Sequence, residues 1–193
     1  MNLVDNAQLD ILLSDEFSFN QFSARYGAGI ANGGDNGNTF TWATYGAPDA
    51  EGKYTNAYSF TTVEHFLVNL TPKFSLNGYG VFTKSKGGSS STNTDEYFNG
   101  NQLHNQKTDF VAGFRSFFYV TKWLHLIEEV HYAIRKDGDN PKAEMWKFSF
   151  APTIVPLGKK DPWSRPHIRL VCTLAHYNDY ARDHNYSPYL QVN

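Results

Sequence analysis

Asp161-Pro162-Trp163-Ser164-Arg165-Pro166-His167-Ile168-Arg169-Leu170 sets a tryptophan in a proline-flanked turn and then begins an alternating run. The run continues through Val171, Cys172, Thr173 and Leu174, with a polar and an apolar face. Strand side chains alternate with period 2, so such a run is one wall with two different surfaces. In a soluble fold the apolar surface packs on a core. In a membrane barrel it faces lipid, and the polar surface lines water.

The same alternation recurs along the chain, and helical periodicity is scarce. About eight strand runs are expected: 7–13, 20–30, 58–70, 73–84, 108–120, 122–135, 144–154 and 166–177. In the second, Phe22, Ala24, Tyr26, Ala28 and Ile30 oppose Gln21, Ser23, Arg25, Gly27 and Gly29. In the fourth, Phe74, Leu76 and Phe82 oppose Ser75, Asn77, Tyr79 and Thr83. In the fifth, Phe110, Ala112, Phe114, Phe118 and Val120 oppose Asp109, Gly113 and Arg115. The sixth sets Leu124, Leu126, Val130, Tyr132 and Ile134 against Trp123, His125, Glu129, His131 and Arg135. The seventh sets Trp146, Phe148, Phe150 and Ile154 against Lys147, Ser149 and Thr153.

Connection lengths alternate. Thr71-Pro72 and the vicinity of Thr121 are tight, whereas long Gly- and Asn-rich segments follow the second and fourth runs. Short turns on one edge and long loops on the other are the layout of a porin, which favours a membrane barrel over a soluble β-fold. An Arg or Lys on a lipid face near the midplane costs about 2–4 kcal/mol. Arg25, Arg115, His125, Glu129, His131, Lys147, His167 and Arg169 all fall opposite the apolar face, as a water-filled interior requires. Glu64 and Glu128 break the rule, through either a register slip or a subunit interface.

Composition agrees. The 193 residues suit one domain, and the net charge of −2 gives no footprint for a nucleic-acid partner. Fifteen Phe, twelve Tyr and four Trp sit in a chain of only 40% hydrophobic residues. Many aromatics in a polar chain fit the girdles of a barrel, and also a sugar-binding β-sandwich. The lone Cys172 permits no intrachain disulfide. No apolar run is long enough for a transmembrane helix. Met1 to Asn6 lack the basic and apolar regions of a secretion signal, so an exported protein would carry its signal outside this chain.

Trp163 reads either as a stacking platform for the C–H face of a sugar or as an interfacial girdle residue. Phe19, in Ser18-Phe19-Asn20-Gln21-Phe22, has the same two readings. His125-Leu126-Ile127-Glu128-Glu129-Val130-His131 imitates a metalloprotease motif, but its ligands converge only on a helix. On a strand its histidines lie about 20 Å apart, which suits a polar pore wall better than a metal. Gly33 to Asn38 lacks the Lys-Ser/Thr of a phosphate loop and reads as a solvated external loop. No Ser/His/Asp or Cys/His triad is found, and no carboxylate pair with separated acid and base roles.

Trp163-Ser164-Arg165-Pro166-His167-Ile168-Arg169, followed by Thr173, Ala175 and Asp179, resembles the late-strand signature of maltoporin (LamB-type) carbohydrate porins. Tyr119 to Trp123 and Ala151-Pro152-Thr153 fall where that family has its preceding strands, and Phe19 to Gly27 resembles a mid-barrel segment. The likeness runs over about 15–180. It implies an all-β, antiparallel up-and-down transmembrane barrel of 18 strands in the bacterial outer membrane, assembled as a homotrimer. It implies facilitated diffusion of maltodextrin-like oligosaccharides, no enzymatic activity and no cofactor. An aromatic track, the greasy slide, would carry the sugar, and its members map onto Trp163 and Phe19. The pore-lining polar residues would be Arg25, Arg115, His125, Glu129, His131, Lys147 and Arg169. Residues 1–193 would then form one partial barrel domain of about eight consecutive strands, with the family's N-terminal strands and final strand outside it. A general porin and a soluble carbohydrate-binding β-sandwich are the alternative functions.

Overall fold

Period-2 alternation becomes one antiparallel sheet in the computed structural model, which describes residues 3–5, 18–32, 44–98 and 101–184. The strands are β1 (Leu3–Asp5), β2 (Phe19–Ala28), β3 (Tyr58–Thr71), β4 (Phe74–Lys86), β5 (Asn93–Phe98), β6 (Asn101–His104), β7 (Gln106–Tyr119), β8 (Leu124–Asp137), β9 (Ala143–Ile154), β10 (Ile168–Arg169) and β11 (Cys172–Tyr177). The sheet runs β1-β2-β3-β4-β7-β8-β9-β10, with β11 also on β9, so neighbours in space are neighbours in sequence. A short helix α1 (Asp179–Asp183) follows, its N-terminus capped by the Asn178 side chain on the Ala181 N–H. None of the described helices is long and apolar enough to cross a membrane.

β3, β7 and β8 are each 14 residues long. Ordinary strands run about 5–6 residues and transmembrane strands about 9–11. β10 and β11 act as one interrupted strand, pairing Ile168 with Ile154 and Cys172 with Phe150. The gap lies opposite Ala151 and Pro152, where proline supplies no N–H to the ladder.

The expected runs differ from the strands in several places. The 7–13 run lies outside the described residues; the strand beside β2 is Leu3–Asp5. The second run stops at Ala28, because Gly29 (φ 63°) turns the chain into a 3-10 turn that takes Ile30 out of the sheet. Val120 and Trp123 belong to the β7–β8 turn and to neither strand. Inside the second long loop lies an unforeseen hairpin, β5–β6.

The long loops 29–57 and 87–105 share one edge, and the tight turns 72–73 and 120–123 share the other, as expected. The alternation then fails. Residues 138–142 close tightly on the long-loop edge, where Gly138 takes φ 53°, and the longer connection 155–167 lies on the short-turn edge. Buried Asn105 ties the long loops together. Its Oδ1 accepts the Ala47 N–H at 2.9 Å, and its Nδ2 donates to Ser89 and Ser91 carbonyls at 2.8 and 2.7 Å.

Register settles the two anomalous carboxylates. Glu64 stands between Phe22 and Gly80, and Glu128 between Ser116 and Phe150, with no shift at either site. The register slip allowed from sequence is therefore absent, and both residues do sit on the apolar face. Between β3 and β4 the only irregularity is at Asn69/Thr71.

The packing is inverted relative to a water-soluble sheet. Ser59, Thr61, Ser75, Thr83, Ser85, Lys107, His125 and Thr153 are buried, all on the face of odd-numbered residues. Phe22, Phe114, Phe148, Phe150 and Leu174 are exposed, all on the opposite face. The apolar core is small: Phe117, Tyr119, Ile127 and Ala151 cluster near the short-turn edge. Hydroxyl pairs knit the polar face, Ser59 to Ser85 at 3.0 Å and Thr61 to Thr83 at 3.2 Å. Buried polar groups hold only when so paired. Among the described residues no second sheet covers the apolar face; the other sheet is the β5–β6 hairpin.

Candidate functional site: the polar wall

Cross-strand register lays the polar side chains out in rows. One row is Phe19, Leu67, Asn77, Arg115, Glu129, Ser149 and Thr173. Beside it run Gln21, His65, Tyr79, Gly113, His131, Lys147 and Ala175. Towards the long-loop edge lies a row with Arg25, Thr61, Thr83, Asp109 and Arg135. Towards the short-turn edge Tyr119, His125, Thr153 and Arg169 align.

Glu129 is the hub. Arg115 donates from Nε to its Oε2 at 2.5 Å, His131 Nε2 contacts its Oε1, and Lys147 Nζ lies 3.8 Å away. His131 in turn meets the Tyr79 hydroxyl at Nδ1, 2.5 Å away. Gly113 lies between them: a Cβ there would come within 2.8 Å of both His131 and Tyr79, so glycine leaves room for the pair. Asn77 Nδ2 lies 3.0 Å from His65 Nε2, and Phe19 packs edge-on to the His65 ring at 4.9 Å. Phe19 is thus an aromatic on the polar wall, unlike Phe22 three residues on.

Charge on this wall is uneven. Arg25, Lys107, Arg115, Arg135, Lys147 and Arg169 face Asp109, Glu129 and Asp137. Asp109 takes Lys107 at 3.0 Å, and Asp137 takes Arg135 at 2.7 Å.

The connection 155–167 packs over the short-turn end of the wall. Val155 donates to the Trp123 carbonyl at 2.8 Å, and Ser164 is buried with its Oγ 3.4 Å from the Lys159 carbonyl. His125 is only 2% exposed beneath it, so this residue, expected to face water, is covered. Trp163 lies in the connection itself, about half exposed, its backbone N–H donating to Asp161 Oδ1 at 2.8 Å. Arg165 Nη1 donates to the Ser164 carbonyl at 3.0 Å and lies 3.1 Å from His167 Nδ1. Burial pushes the His167 imidazole below its usual pKa, against an opposing backbone hydrogen bond to Ser164.

Of the residues expected from sequence, Arg25, Arg115, Glu129, His131, Lys147, Arg169 and Phe19 all stand on the polar face, and Arg115, Glu129, His131 and Lys147 meet. Phe19 and Trp163 do not: β2 and β9 are five strand spacings apart, about 24 Å along the sheet. His65 and Tyr79, partners of Phe19 and His131, were not singled out. Their odd positions placed them on this face, but which neighbours they touch depends on register with strands 12 and 52 residues away.

A family model described as LamB porin matches residues 6–189. No curated protein and no solved structure matches the chain.

Proposed function

Because the chain belongs to the LamB porin family, the sugar channels of the bacterial outer membrane, we propose that it conducts maltodextrin-like oligosaccharides by facilitated diffusion along its polar wall. The observation that carries this reading is the inverted sheet: buried hydroxyls and charges on one face, exposed Phe and Leu on the other. A soluble sandwich would bury that apolar face under a second sheet. Lipid is the solvent in which it is stable uncovered.

Trp163 and Phe19 supply flat apolar surfaces for pyranose C–H faces at two stations of the wall. Arg115, Glu129, His131, Lys147, Arg25 and Arg169 exchange hydrogen bonds with hydroxyls. Weak, repeated contacts suit conduction, since the solute must leave as readily as it enters. The chain performs no chemistry on the sugar in this reading. Residues 1–193 form one partial barrel domain. β1 and the β10–β11 pair do not close on each other among the described residues. An open edge in hydrocarbon costs several kcal/mol per unpaired group. Further strands therefore complete the barrel, and the finished pore assembles as a homotrimer.

The test is ion current through the full-length pore. Maltodextrins are expected to block it, and Trp163→Ala with Phe19→Ala to weaken the block. Block unchanged by both substitutions points instead to a general porin. A protein that stays soluble and monomeric without detergent excludes the channel.

A further inference from the structure

We propose that this wall prefers carbohydrates bearing an anionic group, a carboxylate or a phosphate, over neutral ones. The inference rests on the sugar-channel reading and narrows its substrate.

The whole chain carries −2, yet among the described residues its polar wall carries six cationic side chains against three carboxylates. The sheet has therefore sorted charge as well as polarity. Each of the three carboxylates has a cation beside it, Lys107 at Asp109, Arg135 at Asp137, and Arg115 and Lys147 at Glu129, where the His131 ring also makes contact. Among the described residues no fourth carboxylate stands on the strands of this wall, Asp161 lies in the connection at its short-turn end, and Glu129 cannot neutralise both Arg115 and Lys147.

Arg169 extends the excess towards the short-turn edge. It aligns with Thr153, whose partner is His125, and its buried Nε has no hydrogen-bond partner among the described residues. Instead of a salt bridge, the fields of two further guanidiniums, Arg115 and Arg165, reach it, with Glu129 the opposing charge. A buried guanidinium N–H without an acceptor is costly. Arg169 as a whole is only partly buried, and a visiting carboxylate or phosphate supplies the negative charge this cationic end lacks, because the planar fork matches either group. Trp163 lies two residues before Arg165 and offers the apolar face that the ring of such a sugar needs. Indole and guanidinium together fit an acidic sugar better than a plain one.

The experiment uses the protein inserted in planar bilayers under a KCl gradient, with trigalacturonate, maltotriose and glucose 6-phosphate as probes. The reversal potential should show anions permeating ahead of cations. Trigalacturonate should block at about tenfold lower concentration than maltotriose at low salt, the sum of a few weak charge contacts. Glucose 6-phosphate matching glucose while trigalacturonate blocks would assign the preference to carboxylates; improved block by both would assign it to anionic charge in general. Lys147→Gln with Arg169→Gln should narrow the gap between acidic and neutral sugars, while Lys147→Arg with Arg169→Lys should restore most of it. If maltotriose blocks as well as trigalacturonate, or cations permeate first, the inference is overturned and the sugar channel stands. If no sugar blocks, the sugar channel itself falls. If no current forms, tryptophan fluorescence titration of the detergent-refolded protein with the same probes decides by the same ranking.

Discussion

Glu128 and Glu129 are adjacent in the chain and occupy opposite worlds. Glu129 faces the polar wall, mostly buried, with Arg115, His131 and Lys147 around it. Glu128 is exposed among Phe150 and its neighbours, with only the Ser116 hydroxyl at 3.5 Å. One step along a strand turns a side chain through the sheet. The difference teaches that the identity of a residue decides little here; its parity decides its solvent. A carboxylate is a structural hub at one parity and an anomaly at the next. Glu64 repeats the anomaly on β3, so two acids stand well inside the apolar face without a register error.

The largest expected effect comes from placing one charge on each side of β9. Phe148→Arg puts a guanidinium on the exposed apolar face and should cost about 2–4 kcal/mol of folding into bilayers. Ser149→Arg, one residue on, should cost little, since Ser149 faces the polar wall beside Thr173. Equal losses in denaturant titrations would erase the distinction between faces.

Next comes the glutamate pair. Glu129→Ala strips Arg115, His131 and Lys147 of their shared acceptor and should cost about 1–3 kcal/mol. Glu128→Leu should leave stability unchanged or raise it. Unfolding midpoints in lipid measure both, and a larger loss at 128 than at 129 would reverse the assignment of solvent. Tyr79→Phe removes a single hydrogen bond to His131 and should cost about 0.5–1.5 kcal/mol by the same assay.

The smallest effect is a pH dependence at the connection. Burial depresses the His167 pKa in the folded state. The unfolded chain therefore binds more protons near its ordinary pKa of about 6.5, and stability falls as pH drops through that value. Fluorescence of Trp163, four residues away, should report loosening on acidification from neutrality, and His167→Gln should flatten the response. An unchanged signal in the native protein would show that His167 is not held neutral by its surroundings.

Much of the wall is legible in the sequence because its signal is local. Arg115, Glu129, His131 and Lys147 fall on one face by counting, and the tight turns at 72–73 and 120–123 follow from run spacing. Ile30, Val120 and Trp123 fall outside the strands for a related reason: alternation continues past the point where pairing stops, and strand ends depend on the partner. The flanking prolines place Trp163 in a turn, but the packing of that connection over His125 left no trace in the period. Val155, Gly158 and Lys159 make that packing through contacts with the 122–125 segment, distant in sequence.

The sequence by itself determined two faces, strand direction, and the polar or apolar character of each position, because Cβ alternation is a property of the extended backbone. Only the tertiary structure decided which face is buried. Ser59 and Ser85 are enclosed with their hydroxyls paired across the sheet, while Phe114 is bare on the other face. It also joined Arg115 to Glu129, covered His125, and set six cations over three carboxylates on one wall. These depend on inter-strand register, which no single strand contains.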